Sequence, residues 1–185
     1  MPISHILEAK QFSRPQIEAL LAASAKMEQA LKRGQKLNHL SGKVVACLFF
    51  EPSTRTRLSF EAAALRLGGQ VISMESGLVS SSAFKGESLE DTMRMVQSYA
   101  DCVVVRHPRA GAVQDMATVA AVPVINAGDG GNQHPTQALL DLYTIKKELG
   151  RLHNLNIAFG FDPKHSRTIR SLALLLTHFS GNRFT

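Results

Sequence analysis

Short apolar, β-branched runs alternate with stretches of helical periodicity along most of this chain, and that alternation constrains its fold more than any other feature. Residues 43–50 (KVVACLFF) suit a parallel strand buried on both faces. Leu58, Ala62 and Leu65 then recur at helical spacing until Gly68-Gly69 ends the pattern. A short strand is expected at 71–74, a helix over 88–100 through Leu89, Met93, Val96 and Ala100, and a strand at 102–105. A shorter helix through Val113, Met116 and Ala120 leads to a strand at 122–125 and a helix over 135–149. Upstream, Ser13 and Gln16 form a capping-box pair, with Pro15 in the first turn of a helix whose packed face runs from Ile17 to Leu31. Strands separated by helices predict an α/β fold, a parallel sheet flanked by helices, with ligands in the crevice at the carboxyl ends of the strands.

At 185 residues and 44% hydrophobic, the chain can bury one full core and part of a second. Gly150-Arg151 is the expected boundary, giving a first domain over 1–150 and the start of a second, incomplete α/β domain over 151–185. That second unit should hold a strand at 156–161, a helix over 166–180 and the beginning of a strand at Arg183-Phe184-Thr185. With so little sheet of its own, it is expected to leave Ile169, Leu172, Leu175 and Leu176 without a full surface to pack on.

Polar motifs follow the predicted strands. In 49–61 (FFEPSTRTRLSFE), Ser53 and Thr54 fall at the N-cap and first turn of a helix, where unpaired amides and the positive dipole end bind oxyanions. Arg55 or Arg57 can add charge, each charge-assisted bond contributing roughly 1.5–3 kcal/mol when water is excluded. Taken alone, the same pattern describes an ordinary capped helix. Residues 75–87 (ESGLVSSSAFKGE) lack periodicity and read as a mobile loop with Lys85 as its one cation. Arg106-His107-Pro108 follows the third strand, and 126–137 (NAGDGGNQHPTQ) follows the fourth, with Pro135 placed for the first helical turn. On the parallel-sheet frame, Ser53 to Thr56, Ser81 to Lys85, Arg106 with His107, and His134 to Gln137 converge. They supply cations, hydroxyls, an imidazole and an amide, without a serine or cysteine triad, a metal cluster or a nucleotide P-loop. Chemistry by positioning and charge follows from that set.

Lysine and arginine exceed the acids by 6, which suits a small polyanionic substrate. No basic run is long enough for a nucleic-acid arm, and Trp is absent with only 2 Tyr, so nucleic acid is not an expected partner. Cys47 and Cys102 have neither a disulfide framework nor zinc-ligand spacing, which predicts a reducing, cytoplasmic compartment. No apolar stretch reaches membrane-spanning length and the N-terminus shows no leader pattern, so no membrane partner is expected.

The string Phe-x-Glu-x-Ser-Thr-Arg-Thr-Arg-x-Ser-Phe-Glu resembles the carbamoyl-phosphate signature of the transcarbamylases. Residues 128–143 (GDGGNQHPTQALLDLY), with FFEPSTRTR and the KGE of 85–87, are more similar to the aspartate branch of that family than to the ornithine branch. The match spans nearly the whole chain. It implies that Ser53, Thr54, Arg55 and Thr56 bind the phosphate of carbamoyl phosphate and that Arg106 bridges phosphate and carbonyl oxygen. His134 and Thr56 would polarise that carbonyl, Gln137 would hold the carbamoyl nitrogen, and Arg167 would contact an aspartate carboxylate. Ser81 and Lys85 would reach into a neighbouring subunit's site, which implies a homotrimer with shared active sites. The implied catalytic set is Arg55, Thr56, Lys85, Arg106 and His134, with no metal and no cofactor. The implied reaction carbamoylates L-aspartate for pyrimidine biosynthesis, and a regulatory subunit or a dihydroorotase-type enzyme is a further partner the resemblance admits.

The resemblance also shows departures. Relatives continue through a whole aspartate-binding domain, and Gly160-Phe161-Asp162-Pro163 differs from the family's Gly-Asp pairing. Residues 1–185 alone are therefore expected to bind carbamoyl phosphate without carbamoylating aspartate. Two other readings stand beside this one: a transcarbamylase for another amine such as ornithine, and a non-catalytic phosphate-binding or trimer-forming scaffold.

Overall fold

A computed structural model describes residues 5–75, 86–160 and 166–185. Strands β1 (Val44–Phe49), β2 (Gln70–Glu75), β3 (Cys102–His107) and β4 (Val124–Asp129) pair in parallel in the order β2-β1-β3-β4. Helices α1 (Arg14–Lys32), α2 (Thr54–Arg66), α3 (Leu89–Val96), α4 (Ala112–Thr118) and α5 (Pro135–Leu149) alternate with them. This is the α/β sheet that the sequence pattern predicts.

The continuous apolar run of β1 has a simple cause. Ala46 and Leu48 join Met93, Val113 and Met116 in one buried cluster, while Val45, Cys47 and Phe49 join Ala64 and Val104 in another. Side chains of a strand alternate between faces, so a strand covered on both has no polar positions to spare. Strand β2, at the sheet edge, instead has no fully buried residue and exposes Gln70, Ile72, Ser73 and Glu75. From β1 the chain runs outward to β2 and returns past β1 to β3, so the strand order reverses between β1 and β3. A crevice opens there at the carboxyl ends.

Several boundaries differ from the sequence expectation. Strand β4 begins two residues late and continues to Asp129, through residues whose composition reads as a turn. The N-terminal segment explains this. Ile6 forms a parallel bridge with Ile125, its amide donating to Val124 O at 2.8 Å and its carbonyl accepting from Asn126 N at 2.8 Å. Asn126 Nδ2 also donates to Leu7 O at 2.9 Å, while its Oδ1 accepts from Gly128 N at 2.7 Å, so the side chain keeps its local bond and ties the N-terminal segment as well. Strand β3 likewise runs on to His107 and carries Arg106 within it. At α1 the expected cap is present in part, with Ser13 N donating to Gln16 Oε1 at 2.8 Å.

The expectation for the last residues is corrected. Strands β5 (Asn156–Ile157) and β6 (Arg183–Phe184) pair in parallel around α6 (Arg167–Leu176). Leu175 and Leu176 are not exposed: both are at 0% accessibility, in a cluster with Phe12, Ile17, Leu21 and Leu142. Ile169 and Leu172 are partly buried. The apolar side of α6 packs on α5 and the N-terminal segment, and so needs no sheet of its own.

Cys47 and Cys102 are free, and burial pushes their thiols up to about 12 and about 11, which keeps both protonated at neutral pH. No helix among the described residues is long and apolar enough to cross a membrane. Residues 76–85, which carry the loop expectation, lie outside the described residues.

Because Leu176 is fully buried and Leu174 is 40% exposed, their truncations should separate cleanly. Urea unfolding of Leu176→Ala is expected to show a loss of about 2–4 kcal/mol, against about 0.5 kcal/mol or less for Leu174→Ala. Equal losses would mean that α6 is not docked on the first unit.

Candidate active site

Helix α2 begins at the crevice. Ser53 is its N-cap, yet the hydroxyl makes no capping hydrogen bond. The first helical bond runs from Arg57 N to Ser53 O at 3.0 Å, which leaves the amides of Thr54, Arg55 and Thr56 without helical acceptors. Arg55 and Thr56 of this turn and the N-terminus of α5 border a cleft of about 580 Å³ lined also by Ser59, Phe60, Ala63, His134, Thr136, Gln137 and Leu140. Such a concentration of N–H groups and positive dipole ends favours an anion.

Arg106 enters from the end of β3. Its Nε donates to Glu51 Oε1 at 2.7 Å, and one terminal nitrogen lies 3.4 Å from Thr56 Oγ1. Arg167, on the first turn of α6, approaches the same Glu51 oxygen at 3.8 Å and donates to Gly130 O. Only a glycine fits beneath it. A Cβ on Gly128 would lie 3.1 Å from Arg167 Cζ, and the backbone there has φ +119°. The fold thus brings together two guanidiniums that are far apart in sequence, with one carboxylate between them.

His134 is the N-cap of α5 and is 6% exposed. Burial, then the charges of Arg167 and Arg106, hold its imidazole down to about 4 against the opposing pull of Asp129. It is therefore a neutral ring at physiological pH, able to donate to a carbonyl oxygen without carrying charge. The loop that presents it is tied by Asp129, itself 1% exposed. The Asp129 carboxylate accepts from Gly111 N (2.8 Å), Asn126 Nδ2 (3.0 Å), Asn132 Nδ2 (2.9 Å) and Gln133 N (3.0 Å). His134 N in turn donates to Ser171 Oγ at 3.3 Å.

Ser53, Thr54, Arg55, Thr56, Arg106, His134, Gln137 and Arg167 thus all lie at the strand-carboxyl end of the sheet, while Ser81 and Lys85 lie outside the described residues. Of the two arginines that the first turn offers, Arg55 lines the cleft and Arg57 is turned toward Glu61 (3.6 Å) and Glu75. Glu51, Asp129, Gln133 and Ser171 were not singled out by the sequence. Glu51 had a readable signal, an acid two residues before a hydroxyl- and arginine-rich turn; Ser171 had none, because only the packing of α6 brings it near. Among the described residues, no group of three or more His, Cys, Asp or Glu could hold a metal ion.

Residues 4–147 match the family model described as "Aspartate/ornithine carbamoyltransferase, carbamoyl-P binding domain". The chain belongs to the aspartate/ornithine carbamoyltransferase family. Over 97% of its length it is 50% identical to the aspartate carbamoyltransferase catalytic subunit of Methanocaldococcus jannaschii, of which it covers 58%. It is 49% identical to the chloroplastic aspartate carbamoyltransferase of Arabidopsis thaliana, covering 96% of this chain and 45% of that one. Among solved structures, the aspartate transcarbamoylase of Trypanosoma cruzi, in complex with carbamoyl phosphate and aspartate, superposes with a TM-score of 0.91 at 44% identity, covering 97% of this chain and 56% of that chain. The M. jannaschii catalytic subunit superposes with a TM-score of 0.92 at 49% identity, covering 98% and 59%. The chain spans about half the length of the curated relatives it matches.

The titration of His134 has a definite sign. An ordinary histidine protonates near 6.5 and the folded one near 4, so between those values the unfolded chain binds more protons. The stabilisation is fully present above pH 6.5 and is lost as pH falls toward 4, amounting to roughly 3 kcal/mol. NMR should show no protonation of the His134 ring between pH 8 and 5. Denaturant midpoints should fall on acidification more steeply for the wild type than for His134→Gln; parallel slopes would contradict a buried neutral ring.

Proposed function

We propose that this chain is the carbamoyl-phosphate half of an aspartate carbamoyltransferase that transfers the carbamoyl group to L-aspartate, giving N-carbamoyl-L-aspartate and phosphate. One observation carries the reading: the open N-terminus of α2, two largely buried guanidiniums that share Glu51, and a neutral histidine lie together at the carboxyl ends of the strands. The phosphate would sit on the amides and hydroxyls of Ser53, Thr54 and Thr56 with Arg55, and Arg106 would span phosphate and carbonyl oxygen. His134 and Thr56 would donate to the carbonyl oxygen, where negative charge develops as the aspartate amine attacks the carbon. The new C–N bond forms, the bond from carbon to the phosphate oxygen breaks, and the leaving phosphate takes the amine proton. Arg167 would hold a substrate carboxylate beside Glu51.

The ornithine alternative keeps the same phosphate site and differs in the amine; the greater likeness of 128–143 to the aspartate branch favours aspartate. Ser81 and Lys85 are proposed to act in a neighbouring subunit's site of a homotrimer. The first domain is proposed to end near Gly150, the αL C-cap of α5. A cytoplasmic location fits the two free cysteines.

Calorimetry with carbamoyl phosphate tests the anion site. Arg106→Ala should weaken binding about a hundredfold, whereas Arg57→Ala, whose guanidinium faces Glu75, should change it by about threefold or less. Equal losses would sink the assignment of Arg106.

Sharing of sites is tested with the full-length protein. Dissociating and mixing inactive Lys85→Ala and Arg106→Ala subunits should restore part of the activity, since some hybrid trimers would keep one intact site. Hybrids no more active than their parents would show that each site is built from one chain.

A further inference from the structure

We propose that Asp141 is a positioning residue that sets which acyl phosphate the cleft accepts, by locking the Gln137 amide with its carbonyl oxygen available to the ligand. The proposal rests on the reading that the cleft binds carbamoyl phosphate. Gln137 lies on the first turn of α5 and lines the cleft beside His134 and Thr136. One turn further along, Asp141 accepts a hydrogen bond from Gln137 Nε2 at 2.8 Å.

That pairing removes a freedom that a glutamine ordinarily keeps. Rotating an amide by half a turn exchanges its donor and its acceptor at little cost in water. Here a carboxylate has only acceptors to offer, so the rotated amide would set two oxygens against each other. Oε1 makes no hydrogen bond among the described residues, which leaves it as the atom free for a ligand. Asp141 is itself half-buried, its carboxyl pushed up by desolvation and drawn back by the Gln137 bond, so the pair sits where water competes weakly.

The rest of this end of the cleft donates: the Arg55 guanidinium, the Thr56 hydroxyl and the amides of the α2 N-terminus. Such a set suits phosphate and carbonyl oxygens, and the acceptors it holds for an NH2 group are hydroxyls that can turn to donate instead. A fixed Gln137 Oε1 supplies an acceptor that cannot turn into a donor. Acetyl phosphate, with a methyl group in place of the NH2, presents the same phosphate and carbonyl but leaves that oxygen unpaired and desolvated. Asp141 thereby turns a general anion cleft into one that distinguishes carbamoyl from acetyl.

Titration calorimetry on the intact protein with freshly prepared carbamoyl phosphate, acetyl phosphate and inorganic phosphate tests this. Asp141→Leu, which removes the acceptor, should weaken carbamoyl phosphate about tenfold while leaving acetyl phosphate and inorganic phosphate within about twofold. Asp141→Asn, whose amide oxygen still accepts from Gln137, should recover most of the loss and guards against a folding defect in the leucine variant. Equal weakening of all three ligands would show a structural role, and no change would show an idle hydrogen bond; either overturns the proposal. A wild-type protein with no preference for carbamoyl phosphate over inorganic phosphate would overturn the underlying reading and this proposal together. A wild-type preference that survives Asp141→Leu would overturn the positioning role alone.

Discussion

A single carboxylate, Glu51, stands between two guanidiniums whose side chains are only 15% and 17% exposed, and the character of the cleft depends on that arrangement. Removing a charge from water is costly unless it is paired. One carboxylate shared by two arginines leaves an excess of positive charge, and the nearby Asp129 has much of its capacity taken by N–H donors. Burial first, and the neighbouring arginine charge second, depress the protonation of His134 and of Arg167. A dianionic ligand would relieve all three groups together. The apparent frustration of the unliganded site is therefore its means of selecting an anion.

Sheet topology determines that these groups meet. Because β1 and β3 are neighbours that lead to helices in different directions, α2 starts at the end of β1 while Arg106 lies in the last residues of β3, beside the crevice. Phe49 pairs with Arg106 in the parallel register, which sets the arginine level with the turn that contains Glu51 and Ser53. A slip by one residue would point Arg106 to the opposite face. The fully buried Val103, Val104 and Val105 hold the register, so core packing fixes the aim of a surface-reaching arginine.

The alternation of apolar runs and helical spacing was enough to read the sheet, the helix order and the convergence of three turns, the fourth, Ser81 to Lys85, lying outside the described residues. These are properties of local pattern, and the buried strands β1 and β3 state them without ambiguity. What the pattern could not show was set by contacts distant in sequence. Residues Asn126 to Asp129 look like a turn and form a strand because Ile6 comes back to pair with them. Leu175 and Leu176 look stranded on an unfinished domain and are buried because α1 and α5 offer an apolar surface. Glu51 was visible as a letter within a motif, but its role as the shared partner of Arg106 and Arg167 depends on two elements 55 residues and more away. Ser81 and Lys85 remain proposals carried by resemblance.

The placement of α6 decides more than stability. Arg167 sits one residue beyond the N-cap Ser166, whose hydroxyl accepts from Ile169 N at 3.4 Å, so the start of the helix is fixed locally. Two turns on, Leu175 and Leu176 anchor the same helix in the core of the first unit. Between them Ser171 Oγ accepts from His134 N and donates to Gln133 Oε1 at 3.2 Å, and that same oxygen accepts from Ala9 N at 3.2 Å. The aim of Arg167 and the position of His134 are thus set by one rigid helix, pinned at both ends and at its middle. An amine substrate held by Arg167 would inherit its distance to the carbonyl from this packing. Orientation of two reactants can remove a large part of a reaction barrier, and at this site it would depend on the burial of two leucines and a serine remote from the cleft.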